Sequence, residues 1–363
     1  MGSMLRTVGI VGYGVHIPEF RLSCEEIWST WVHRQNPDAI RRLMGLSEVA
    51  VTSWHDDPNT MASDAGKAAL EMAGVSPADI GAIYLGTCTN PYVTKASVTF
   101  VAESLDLGSD LFSCDCQFGS KSGTSCLQIC TGLVAGGIIN YGIAIGSDAL
   151  LSHTAPNDWP LEYTSSSGAA AYVVGSDKVV AEIEQLHSYA TETTDFFRLD
   201  GDRYLTRAVY IEEEFIGYNR HIASAVGGFM NKFGCKPNDF EYLVLHQKNG
   251  NEPLALGREM GFADEQLRPG LVADRIGDCG SANSLIALAL VLDKASAGQR
   301  ILLASYGQGA GSDVLSLRVT DLIDEARARR KAYGGVEEQI GRRISIRYQD
   351  YLRMQRKIIQ EYV

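Results

Sequence analysis

The chain of 363 residues contains no unbroken apolar run near the roughly 18 residues that a membrane-crossing helix requires, so no span is predicted. It has no surplus of positive charge either. Its 32 lysines and arginines stand against 44 acidic residues, a formal net charge of -12, which excludes the broad basic face that nucleic-acid binding needs. Phosphate-cradling loops of the form GxxxxGK(S/T) are missing. The GxG inside "GIVGYGVHIP" (9–18) has no third glycine opening a helix, so this stretch reads as a strand ending in a proline turn, not as a dinucleotide site. Eight cysteines are present, but Cys114 and Cys116 form only a C-x-C pair with no second Cys/His pair at zinc-binding spacing, so no metal is predicted. The thiols lie mostly within apolar runs, which suits a reducing compartment, and the opening "MGSMLRTVGIVGYG" lacks the pattern of a secretory signal; a cytoplasmic setting is predicted.

What is present is apolar material, 45% of the residues, arranged on one plan twice. The first half runs from the strand "AIYLGTCTN" (82–90) through a Gly/Ser-rich turn into the buried helix "GTSCLQICTGLVAGG" (123–137), then the strands "YGIAIGSDALL" (141–151) and "AAAYVVGSD" (169–177). The second repeats the order with strand "EYLVLHQKNGN" (241–251), turn "RIGDCGSAN" (275–283), helix "SLIALALVLDKA" (284–295) and strands over 300–313 and 313–321. Strands that are apolar almost throughout belong to sheets covered on both faces, and helices apolar all round belong between layers. Two such halves predict an α/β, five-layer αβαβα arrangement, that of the thiolase fold. The predicted divisions are 4–180, then 181–320 with a cap insertion near 185–240, then a tail over 321–363 that packs on its own chain or against another subunit.

The motifs "GTCTNPY", "QFGSKSGT", "HQKNG", "GDCGSAN" and "SYGQGAGSD", with "TTDFFR" in the predicted cap, stand in the order found in archaeal-type 3-hydroxy-3-methylglutaryl-CoA synthases, which the chain resembles over nearly its whole length. Through "YLGTCTNPY" and the Gly-Asp start of "GDCGSAN" it is also similar to the synthase-like subunits of bacterial monoacetylphloroglucinol acetyltransferase. In that assembly such a subunit is bound to a thiolase-like subunit and a small OB-fold protein. The resemblance therefore implies an acyltransferase function with those partners, a homodimer formed through a sheet edge, acyl-CoA or another acyl donor as substrate, and no bound cofactor. It does not assign CoA contacts; Lys95, Lys121 and Lys248 lie near the motifs and read equally as ordinary surface charge.

Active synthases of this family use a Glu base, a Cys nucleophile, a His and an Asn. Carried onto this chain, the Glu position is Cys88, the Cys position is Ser120, the His is His246 and the Asn position is Asp278. Each change alters the chemistry. A helix start and a nearby His lower a thiol's pKa far more usefully than a hydroxyl's, so Ser120 needs His246 as a base within hydrogen-bond reach. An acyl-serine would also be a poorer onward donor than a thioester. Ser120 thus reads as a retired nucleophile, with a Ser120–His246 pair as the alternative. Cys88 reads as an inert buried thiol or as a substitute nucleophile. Asp278 cannot donate a hydrogen bond to a thioester oxygen as an Asn amide does; it caps the turn that follows, and it also has the chemistry to pair with His246 in a Ser-His-Asp arrangement. The glycines of "SYGQGAGSD", Gly311 among them, let backbone N–H groups approach a ligand, and in the family this loop helps to form an oxyanion hole. The expectation is a synthase-like subunit, weak or inactive alone, that organises a thiolase-like partner; the alternative is an enzyme acting on acyl-CoA through Ser120 or Cys88 with His246.

Overall fold

The computed structural model describes residues 7–31, 36–117, 119–207, 211–330 and 332–358. Nine strands form one mixed ladder: β1 (Gly9–His16), β2 (Ile80–Gly86), β3 (Phe112–Cys116), β4 (Tyr141–Ala149), β5 (Ser167–Gly175), β6 (Ala181–Tyr189), β7 (Tyr242–Leu245), β8 (Arg300–Ala304) and β9 (Ser312–Val319). Their order is β7-β8-β9-β6-β1-β5-β4-β2-β3. Within it one pattern occurs twice. β2 runs parallel to β4, which is antiparallel to β5, which is antiparallel to β1; β7, β8, β9 and β6 repeat those relations. Among the described strands, the two sets pair with each other through β1 and β6, at Gly9–Glu182 and Ile10–Ala181.

Four helices supply the other layers. Both central helices, α2 (Ser122–Ala135) and α4 (Asn283–Leu292), share one core with the inner faces of both strand sets, and every residue of α4 is buried. On the outer face of the first set lies α1 (Pro58–Ala73). Its start is fixed by a reciprocal cap between Asp57 and Thr60, and its end by Gly74 at φ 60°. The 23-residue α3 (Ile211–Phe233) covers the outer face of the second set through Tyr218, Ile222, Ala225, Val226 and Phe229. The result is the five-layer thiolase-type architecture.

The "GIVGYG" stretch is strand β1, as its residues suggest. Its glycines serve packing: a Cβ on Gly12 would stand 2.4 Å from the Ala73 nitrogen, and one on Gly14 would stand 2.5 Å from the Ala65 oxygen. They let α1 lie directly on the sheet.

The expected cap over 185–240 needs correction. Residues up to Tyr189 continue β6, and Ile211–Phe233 is α3, which is apolar along one face at helical spacing and so belongs to the second half's own layers. The stretch between them, with its short ladder of Phe196–Phe197 against Thr206–Arg207, lines the cavity that Cys88 borders; Ala208, Val209 and Tyr210 lie outside the described residues. The tail packs on its own chain. Helix Ile323–Arg329 hydrogen-bonds α1 through Arg329 Nε to the Met72 carbonyl at 2.8 Å. Ile344–Ser345 then pairs with Phe20–Arg21, and Tyr348 donates to the buried Glu162 at 2.6 Å. Residues 359–363 of the predicted tail lie outside the described residues. Among those described, no helix is long and apolar enough to cross a membrane.

Candidate active site

The carboxyl ends of β2 and β4 and the amino ends of α2 and α4 converge, as parallel strands feeding central helices dictate. Close approach here depends on small residues. A Cβ on Gly123 or on Gly146 would stand 2.4 or 2.3 Å from the Ser281 carbonyl oxygen, so the turn before α4 sits directly on the first half.

At this junction lies Asp148, a fully buried carboxylate at the end of β4. It accepts from the Thr87 and Thr89 hydroxyls, the Cys88 and Thr89 backbone N–H groups, and both the N–H and hydroxyl of Ser281, at 2.6–3.0 Å. The Cys88 thiol donates to its Oδ2 at 3.2 Å. The sequence reading missed Asp148. An acid closing the otherwise apolar and small strand "YGIAIGSDA" was the available signal.

Cys88 is half-buried and lines a cavity of about 350 Å³ with Asn90, Gly119, Phe196, Leu199 and Gln308. Its pKa is pushed well above the usual thiol range, first by burial, then by the charge of Asp148 and its hydrogen bond, then by Asp278. The resting group is therefore a thiol. Ser120 is fully buried and precedes α2 by two positions. Its hydroxyl and its backbone N–H both donate to Gln308 Oε1, at 2.6 and 3.0 Å.

His246 follows β7 and is fully buried. The turn after it is clamped by Asn283, whose amide accepts from the Gln247 N–H at 2.7 Å and donates to the Gln247 carbonyl at 3.0 Å. The imidazole lies edge-on to Tyr306, and Nε2 faces Asp278 Oδ2 at 3.3 Å. Asp278 Oδ1 accepts from the Gly280 N–H at 2.9 Å, so one carboxylate both caps the turn and holds the histidine. The in-line Ser-His-Asp arrangement does not form. His246 Nδ1 has no hydrogen-bond partner among the described residues, and the Ser120 hydroxyl is occupied by Gln308. The structure thus brings together Cys88, Asp148, Asp278 and His246, and leaves Ser120 bonded to the Gly-rich loop.

That loop is closed by the Gly307 N–H donating to the Gly311 carbonyl at 2.9 Å. Gly309 and Gly311 have φ of 72° and 118°, positive values that glycine adopts at little cost. Of the three lysines, Lys121 is not surface charge: it is buried in an ion pair with Asp313 at 2.7 Å. Lys95 is exposed beside the Tyr92 ring, and Lys248 lies near the rings of Tyr218 and Tyr306. All eight cysteines are free thiols, and no cluster among the described residues has the composition to hold a metal ion.

Comparison with known proteins settles the ancestry of this arrangement. Over 354 residues the chain is 41% identical to the hydroxymethylglutaryl-CoA synthase of Methanopyrus kandleri, covering 97% of this chain and 98% of that protein. It is 40% identical to the enzyme of the same name from Methanocaldococcus jannaschii, covering 96% and 99%. The chain belongs to the hydroxymethylglutaryl-CoA synthase family. Residues 230–319 also match the model of the 3-oxoacyl-[acyl-carrier-protein (ACP)] synthase III C-terminal region, consistent with the thiolase superfamily. The fold matches MvaS solved in complex with 3-hydroxy-3-methylglutaryl coenzyme A at a TM-score of 0.85, 22% identity, covering 98% of this chain and 93% of that one. It matches the curacin-pathway HMG synthase solved with holo donor-ACP at 0.84, 22% identity, covering 96% and 88%.

Proposed function

We propose that this hydroxymethylglutaryl-CoA-synthase-like acyltransferase works within a multi-component C-acyltransferase and carries the acyl group on Cys88, not on Ser120. One observation carries the reading: the Cys88 thiol stands at the cavity wall with its proton directed at Asp148, whereas the Ser120 hydroxyl is fully buried and donated to Gln308. A thiol also suits relay chemistry, because exchange between two thioesters is nearly balanced. With no carboxylate at position 88 and an acceptor-only group at 278, the site is not equipped for Claisen condensation. The acceptor must bring its own nucleophilic carbon, and the thiolase-like and OB-fold partners implied by the resemblance would shape access to it. The outer edge of β3, with Phe112 exposed on that strand, supports pairing of two copies there.

A second reading is favoured by the raised pKa of Cys88: a subunit that transfers nothing itself and organises a catalytic partner. Incubation with acetyl-CoA, intact-mass measurement and peptide mapping separate the two. An acetyl adduct on Cys88, lost in Cys88→Ala and kept in Ser120→Ala, supports the first. A correctly folded protein that acquires no adduct, alone or with its partners, leaves the second.

A further inference from the structure

Ser120 fixes which way the Gln308 amide faces. A hydroxyl can donate or accept, but a backbone N–H only donates, so the group receiving both Ser120 bonds at 3.0 and 2.6 Å must be the amide oxygen. Nε2 is thereby turned away from Ser120, and it is buried without a hydrogen-bond partner among the described residues. Gln308 is only 8% exposed, yet it lines the cavity that holds Cys88. A buried amide with an unused donor is rare and costly in a folded protein. The backbone around it is built for close approach: Gly119 has φ 53°, and a Cβ there would stand 3.0 Å from the backbone nitrogen of Gln308.

We propose that Gln308 Nε2 is an oxyanion donor for acyl transfer at Cys88, and that Ser120 is the positioning residue that aims it. The inference rests on Cys88 as the acyl-bearing group. In the step, the Cys88 proton passes to Asp148 and sulfur bonds to the carbonyl carbon of acyl-CoA. The carbonyl π pair moves to oxygen, where Nε2–H meets the developing charge. Collapse then breaks the bond to CoA sulfur, and the CoA thiolate takes up the proton. The donor compensates for position 278, where a carboxylate has none to offer.

The test is the rate of acetyl loading on Cys88 from acetyl-CoA, followed by intact mass on the full chain. Gln308→Glu retains an acceptor for both Ser120 bonds but removes the amide donor; Gln308→Met removes both. Both variants are expected to load about 10²- to 10³-fold more slowly. Ser120→Ala is expected to be slower by on the order of tenfold, one neutral hydrogen bond. Ser120→Ala added to Gln308→Met is expected to cost nothing more, because there is no amide left to aim. Loading of Gln308→Glu at the native rate overturns the proposal, as does an undiminished Ser120→Ala effect in the Gln308→Met background. If the native protein loads no acyl group on Cys88, the proposed function falls and this inference with it. Loading on Cys88 that is indifferent to Gln308 removes this inference alone.

Discussion

Nε2 of His246 and Oδ2 of Asp278 face each other at 3.3 Å, while Oδ1 of the same carboxylate takes the Gly280 N–H. Asp278→Asn keeps that cap through its amide oxygen and is expected to change stability by about 1 kcal/mol or less, read from thermal unfolding. Combined with Cys88→Glu and Ser120→Cys it restores a base, a thiol and an amide donor at the three altered positions. The triple variant is expected to release free CoA from acetyl-CoA plus acetoacetyl-CoA over many turnovers, whereas the native chain releases no more than the one equivalent that accompanies acetylation of Cys88. Equal release by both would refute the assignment of these positions.

Alkaline pH should weaken the fold. Burial raises the thiols of Cys24 and Cys279 to about 12, against about 8.5 for an unfolded thiol. Below the unfolded value both states keep the proton and nothing changes. Above it the unfolded chain loses a proton that the folded chain retains, so stability falls by about 1.4 kcal/mol per pH unit per thiol until the folded value is reached. Urea midpoints at pH 8, 9 and 10 should fall progressively, and Cys279→Ala should flatten the slope. A midpoint that holds steady over this range contradicts the argument.

Lys121 and Asp313 form a buried pair, with Asp313 also accepting from Thr124, Ser125 and Ser188. Lys121→Met leaves that carboxylate without its cation. A loss of about 3–5 kcal/mol is expected in urea unfolding, where an exposed CoA-binding lysine would change stability little.

Gly123→Ala and Gly146→Ala should each cost about 1–3 kcal/mol, since backbone, not a movable side chain, meets the added methyl. Each should also slow acetyl loading of Cys88, because Ser281, which holds Asp148, is the group displaced. Normal loading in a destabilised variant would show that the junction does not position the site.

The repeated halves were legible because strands covered on both faces and helices sandwiched between layers must be largely apolar, and 82–90, 123–137 and 284–295 are predominantly apolar or small. The cap was overextended because charged residues opening α3 drew attention from Tyr218, Ile222, Val226 and Phe229, whose spacing marks a helix against a sheet. The altered positions were legible one by one through resemblance; their company was not. Nothing local tells that Asp148 meets Cys88 across 60 residues, or that Ser120 meets Gln308 across 188. Those contacts depend on strand order and on glycines at the junction, which only the folded chain displays.

The stitching of the tail into the first half sets an order of assembly. Gln339 bonds the Ile17 N–H and the Val15 carbonyl, and Tyr348 and Tyr351 close over Glu162. A ribosome delivers Gln339 322 residues after Ile17. The first half therefore waits, its Glu162 pocket open to water, until almost the whole chain has emerged. A stop codon before Tyr348 would not merely shorten the protein at its edge; it would leave an early-made region permanently unfinished.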